Sequence, residues 1–182
     1  MSGPLVRAAQ LVDAPDIARV HVEAWRETYA ELVDEAFATS FGRTDRLEQW
    51  MRVFSDASPA DVFVAEVANE IVAFASAGPV AHRWPGFDSE LYTLYVLRAF
   101  HGRGIGRALV AAAGMRLRQR GRPSTVVAVL RQNENARRFY ERLGAREFGT
   151  YELNDEGRDL PHVMYGWKDL GSIEGQTTKR PE

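Results

Sequence analysis

Apolar positions in this chain follow two alternating periods, and the changes from one to the other predict most of its elements. Residues 5–11 open on Leu5 and Val6 and read as a short first strand. Ile17, Val20, His21, Ala24, Trp25 and Thr28 then recur every three or four positions, the spacing of one helix face. Asp13 stands where an N-cap is wanted, and Pro15 and Asp16 suit a first helical turn. A second helical pattern covers residues 43–54 and sets Leu47, Trp50, Met51 and Phe54 on one face. Asp61–Val67 and residues 71–76 read as paired strands joined through Ala68, Asn69 and Glu70, where the asparagine tolerates a tight turn.

Residues 78–89 break both periods and form a polar, aromatic loop holding His82, Trp84, Pro85 and Phe87. A fourth strand follows over residues 90–96. Ile105, Leu109, Ala113 and Leu117 make an i, i+4 row that ends at Gly121 and Pro123. The β-branched run 124–130 is a fifth strand, and Ala136, Phe139, Tyr140 and Leu143 share a helix face that stops at Gly144. Residues 146–153 and 160–167 read as a closing hairpin across Asn154, Asp155, Glu156 and Gly157. Strand and helix alternate in mid-chain while antiparallel pairs flank both ends, which predicts a mixed α/β sheet. One domain over residues 1–170 accommodates these elements, and the polar, aperiodic residues 171–182 read as a disordered tail.

The densest chemistry lies in His101-Gly102-Arg103-Gly104-Ile105-Gly106-Arg107, between the fourth strand and a helix. Alternate glycines let the backbone curl so that several N–H groups face one anion, and the helix behind adds its positive dipole end. The loop alone fits either a phosphate seat or a ligand-free helix start. No Gly-Lys pair occurs anywhere, which removes the P-loop reading. The dinucleotide fingerprint fails in both registers, because Arg107 or Leu109 falls where its third glycine belongs.

A second segment, Asn133 through Gly144 with Tyr140 inside it, decides between them. Leu94-Tyr95-Val96, the glycine loop and the Asn133–Tyr140 helix together resemble the GNAT (general N-acetyltransferase) superfamily in order and spacing. Ala24-Trp25-Arg26-Glu27-Thr28-Tyr29 is similar to the first helix of many members, and the resemblance covers about residues 5–168. Two positions depart from the family pattern: His101 replaces the usual Gln or Arg, and Arg98 an often-found Pro.

The resemblance implies a mostly antiparallel central sheet that splays between its fourth and fifth strands, with helices on both faces. It also implies acetyl-CoA as donor and an amine as acceptor. The pantetheine arm would fill the splay like an added strand, pairing with Leu94 C=O and Val96 N–H. Tyr95, His101, Gly102, Arg103, Gly104, Ile105, Gly106, Arg107 and Asn133 complete the implied cofactor site. Asn133 reads equally as a helix N-cap. Tyr140 takes the family's general-acid position, against a core-tyrosine reading, and Glu90 the water-linked base position, against a surface carboxylate. A backbone N–H near Val96 would meet the oxyanion.

Composition narrows the alternatives. Without cysteine there is no disulfide framework, thiolate zinc site or cysteine nucleophile. The four histidines lack metal-ligand spacing, so no metal is expected. Twenty-three basic against 25 acidic residues argue against nucleic-acid binding. Arg98, Arg103, Arg107, Arg116, Arg118, Arg120 and Arg122 crowd the glycine-loop helix, mostly as a solvated face; Arg103 and Arg107 flank the phosphate seat. No apolar run approaches a membrane span, and no signal-peptide core opens the chain, so a cytoplasmic protein is expected. Trp25, Tyr29, Trp84, Phe87, Asp88 and Glu90 are acceptor-side candidates, since aromatics with carboxylates suit a cationic small-molecule amine. A protein N-terminus or lysine, or a non-catalytic acyl-CoA-binding module, are the alternatives. Either a monomer or a homodimer fits.

Overall fold

The computed structural model describes residues 4–29, 32, 43–55, 60–155 and 158–175. Its strands are β1 (Leu5–Ala8), β2 (Asp61–Val67), β3 (Glu70–Pro79), β4 (Ser89–Val96), β5 (Thr125–Leu130), β6 (Arg146–Asp155) and β7 (Arg158–Trp167). Its helices are α1 (Ala14–Tyr29), α2 (Arg43–Ser55), α3 (Ile105–Gln119), α4 (Glu134–Arg142) and α5 (Gly171–Gly175). The strands order as β1-β2-β3-β4-β5-β7-β6. β4 and β5 are parallel, whereas β1–β2, β2–β3, β5–β7 and β6–β7 are antiparallel. The mixed sheet expected from the alternation is therefore present. The β4–β5 ladder holds two residue pairs, Ser89↔Thr125 and Glu90↔Val126, and both strands are longer than that ladder. No described helix is long and apolar enough to cross a membrane.

The residues group into two compact units, one within Met1–Ala77 and Thr93–Ala113, the other within Gly78–Tyr92 and Gly114–Glu182. In the first, the periodic face of α1 is buried as its spacing predicts, with Ile17 and Val20 packed beside Trp50, Val64 and Phe74. Two details differ from expectation. Met51 is 42% exposed, and Val53 packs on the core in its place beside the expected Leu47 and Phe54. At about 100° per residue, Met51 sits a full step round from Trp50, while Val53 comes back to within about 60° of it. Asp13 belongs to a 3-10 turn, Leu11–Asp13, that cuts β1 short. Its carboxylate accepts the Gln10 N–H at 2.7 Å and both terminal nitrogens of Arg7 at 2.7 and 2.8 Å. The Arg7 guanidinium holds that carboxyl below the usual carboxylate range.

The β2–β3 turn is tighter than the sequence implies. Ala68 and Asn69 both have positive φ, 52° and 68°, and Glu70 already pairs with Val67. Two consecutive left-handed residues match the twist of a two-residue hairpin. β3 also continues three residues past the predicted end, to Pro79.

In the second unit, α3 and α4 end alike. Arg122 N–H bonds Leu117 O and Gly121 N–H bonds Arg118 O, while Ala145 and Gly144 repeat the pattern on Tyr140 and Glu141. Both are Schellman stops, as the glycines predict. The Trp167 indole donates to Leu143 O at 2.8 Å, covering another carbonyl at the end of α4. The first five residues of the expected tail form α5, with Ile173 buried. The rest of that tail, 176–182, and the hairpin residues Glu156 and Gly157 lie outside the described residues.

His21 is a buried polar group inside the first unit's core. Its ring lies among Trp50, Phe74 and Tyr95, with centroids 5.9, 5.2 and 4.8 Å away. Trp50 Nε1–H donates to its Nδ1 at 3.2 Å, so the neutral ring carries its hydrogen on Nε2. Burial, with the nearby charge of Arg46, pushes this imidazole from its ordinary 6.5 down to about 3. Between those values the unfolded chain binds a proton that the folded chain refuses, so stability falls as pH drops. The stability difference between wild type and His21→Asn should narrow by about 1.4 kcal/mol per pH unit below pH 6.5. Urea denaturation from pH 7 to 5 checks this; a pH-independent difference contradicts it.

Candidate functional site

In the first unit, the end of β4 leads into a bend that the chain pins at several points. A 3-10 turn at Arg98–Phe100 closes through Phe100 N–H to Leu97 O and His101 N–H to Arg98 O, at 2.9 and 3.1 Å. Leu97 N–H reaches Val72 O on β3 at 3.0 Å. Arg98 N–H donates to Glu27 Oε2 at 2.8 Å, and its guanidinium donates to the Glu27 carbonyl, tying the bend to α1. A proline at 98 would lack the first of these donors. His101 Nε2 lies 2.8 Å from Val96 O, and because a carbonyl only accepts, the ring nitrogen carries the hydrogen.

Gly102 and Gly104 follow with φ of +73° and +76°. A Cβ on either would meet no atom within 4 Å, so left-handed backbone, and not crowding, requires glycine there. Helix α3 starts directly behind, anchored by buried Ile105. An α-helix leaves its first N–H groups without intrahelical acceptors. In α3 the ladder begins with Ala108 N–H on Gly104 O at 3.0 Å. Arg103 lies 5.0 Å above the Phe100 ring, and Arg107 is half-buried. The bend thus consists of left-handed glycine backbone running into a helix start. Leu94, Tyr95 and Val96 are half-buried at the strand end, with Tyr95 turned onto the His21 cluster. Trp25 is 2% exposed and packs as a core residue, and Tyr29 stacks on its ring at 3.9 Å.

The second unit carries the candidate proton-handling groups. Glu90 is half-buried and accepts Ala81 N–H at 3.1 Å. Burial raises its carboxyl above the ordinary glutamate range, against the opposing pull of the Ala81 amide and the charge of His82. Tyr92, two residues on, donates to the Pro79 carbonyl. Burial and the Glu90 charge raise its phenol. Residues two apart in a strand share a face, which is the sequence signal that sets Tyr92 beside Glu90. Tyr140 is 6% exposed on α4, edge-on to Trp167 at 5.9 Å. Asn133 caps α4, its Oδ1 accepting Ala136 N–H at 3.1 Å.

Asp88 is engaged with Ser124, a residue the sequence did not single out. Trp84 belongs to an aromatic group with Phe148 and Tyr151, at 6.1 and 4.9 Å, and Phe87 stacks on Phe148 at 5.0 Å. Phe148 is the extra residue of a bulge between Glu147 and Gly149, and the Tyr151 ring folds back over Gly149. Phe148 and Tyr151 remain 38% and 42% exposed. Lys168 Nζ sits 3.7 Å from the Phe87 ring centroid and donates to Gly86 O. None of this aromatic company on β6 was legible from the loop alone.

Comparison with known proteins adds a family. The pattern of the Acetyltransferase (GNAT) family matches residues 19–145. A Bacillus subtilis relative named as the uncharacterized N-acetyltransferase YuaI is 34% identical over 170 residues, covering 93% of this chain and 95% of its own. Among solved structures, the PaiA N-acetyltransferase of Thermoplasma acidophilum in complex with coenzyme A superposes with a TM-score of 0.70 at 20% identity. That match covers 91% of this chain and 98% of the other. A ribosomal-protein-alanine N-acetyltransferase from Brucella melitensis gives 0.66 at 27% identity, over 90% and 98% of the two chains.

The left-handed bend yields a direct test. Gly104→Ala should lower stability by about 1–2 kcal/mol, the cost of an L-residue in that region, and weaken binding of a diphosphate ligand at least tenfold. Thermal melts and calorimetry read the two effects separately.

Proposed function

The chain belongs to the GNAT family of acetyltransferases, whose acyl donor is acetyl-CoA, and on that premise we propose that it acetylates a primary amine of a small molecule by direct attack on the thioester. The observation that carries the donor side is the bend at Gly102 and Gly104, open above both glycines and running straight into α3. Main-chain amides from Gly102 to Arg107 would hold the donor's diphosphate, with Arg103 and Arg107 at its flanks, whereas the His101 N–H is already given to Arg98 O. Leu94 C=O, Val96 N–H and Asn133 would hold its amide arm. When bound, acetyl-CoA supplies an acyl carbon already activated as a thioester.

The residues of this chain then handle protons. Glu90, through a water, accepts one from the ammonium so that the nitrogen lone pair is free to attack. A raised carboxyl suits that task, because a base works best near the operating pH. A backbone N–H near Val96 stabilises the oxygen as the N–C bond forms. Tyr140 donates a proton to the departing sulfur as the C–S bond breaks, and the new amide nitrogen sheds its second hydrogen as a proton. The products are an acetamide and a free thiol. Trp84 with its aromatic neighbours, in the same unit as Glu90, supports an amine with an apolar or planar body. A second reading, a protein N-terminus as acceptor, is favoured by the likeness to the ribosomal-protein-alanine N-acetyltransferase.

Free-thiol release over a panel of small amines and N-terminal peptides separates the two acceptors. Tyr140→Phe should bind coenzyme A normally and lose about 10²-fold in kcat. Below the raised value of Glu90 its carboxyl is protonated and cannot accept, so kcat should fall as pH falls; Glu90→Gln should lower kcat and flatten that limb. Turnover by Tyr140→Phe at the wild-type rate would falsify the acid role.

A further inference from the structure

Asp88 and Ser124 are bonded twice. The Asp88 N–H donates to Ser124 Oγ at 3.0 Å, and the same hydroxyl donates to Asp88 Oδ2 at 2.9 Å. Ser89, the first residue of β4, donates its hydroxyl to Ser124 O at 2.7 Å. Three bonds therefore join the residue just before β5 to the start of β4.

Immediately beyond lies the two-pair ladder, Ser89↔Thr125 and Glu90↔Val126. Register in a sheet is normally set by which side chains must be buried, since a one-residue slip turns every side chain over. That rule has little hold at the first pair, where two small hydroxyl residues, Ser89 and Thr125, are both buried. Nor can a ladder of two pairs specify itself by length. The hydroxyl and carboxylate of Ser124 and Asp88 supply what the apolar pattern does not. Glu90 is the next residue, in the second and last pair of the ladder.

We infer that Asp88 and Ser124 are positioning residues, which fix the register of β4 on β5 and so the place of the Glu90 carboxylate, and that Asp88 does not bind the acceptor. The effect on turnover rests on the proposed role of Glu90. Around that carboxylate stand the Ala81 amide, His82 and Tyr92, the last on the same strand.

The variants separate geometry from charge. Asn at 88 keeps an oxygen for the Ser124 hydroxyl and loses the negative charge. Thr at 124 keeps the hydroxyl. With the full chain, Ser124→Ala and Asp88→Ala should each lower kcat about tenfold or more and shift the acidic limb of its pH profile, with KM for the amine little changed. Asp88→Asn and Ser124→Thr should stay within about threefold of wild type, because the bonds that matter survive. Hydrogen exchange at the Glu90 and Val126 amides should quicken in Ser124→Ala. A tenfold rise in amine KM for Asp88→Asn, with Ser124→Ala silent, would make Asp88 an acceptor-binding group and overturn the inference. If Glu90→Gln itself kept full kcat, the base role would be what fails. The exchange rates would still decide the register, and unchanged exchange in Ser124→Ala would overturn it. Should Ser124→Ala not fold, Asp88→Ala and Ser124→Thr carry the same contrast.

Discussion

A strand that loses its neighbour part-way is the constraint on which the rest of this structure turns. β4 pairs with β5 over Ser89 and Glu90 and then runs six residues further. Backbone polar groups that lose a ladder partner must find another, from side chains, solvent or a ligand. The chain itself meets some of that demand, since the His101 ring takes the Val96 carbonyl.

The bend after β4 is specified by backbone more than by its side chains. Gly102 and Gly104 provide conformations that other residues enter only with strain. Arg98 and His101 differ from the family pattern, yet both direct their bonds inward, to Glu27 and Val96. Those contacts hold the bend's shape, so the departures change how the loop is braced more than what it offers to an anion. Arg103, laid over Phe100, keeps its charge at the rim.

Much of the fold was legible because burial imposes a period on the sequence. The face of α1, the Ile105–Leu117 row and the glycine stops of α3 and α4 all stand where periodicity and helix-end chemistry put them. One misreading fell where a contact decides and another where the helix angle does. Asp13 looked like a cap because nothing local reveals Arg7 closing on it from β1. Met51 looked apolar enough for the core, but Val53 lay nearer the buried side. The candidate site follows the same division. Glycines and the Asn133–Tyr140 spacing are local signals. The bonds of Asp88 to Ser124 and of Arg98 to Glu27 span 36 and 71 positions, and no window of sequence contains them.

The bulge on β6 has an evolutionary corollary. In an unbroken strand, residues three apart point to opposite faces, yet Phe148 and Tyr151 both reach the Trp84 ring because one residue is extra between Glu147 and Gly149. A single-codon deletion there would restore the regular alternation and send one aromatic to the other side, leaving the neighbouring hairpin pairs intact. Relatives can therefore redraw this surface by gaining or losing one amino acid, a change of phase that no point substitution could imitate.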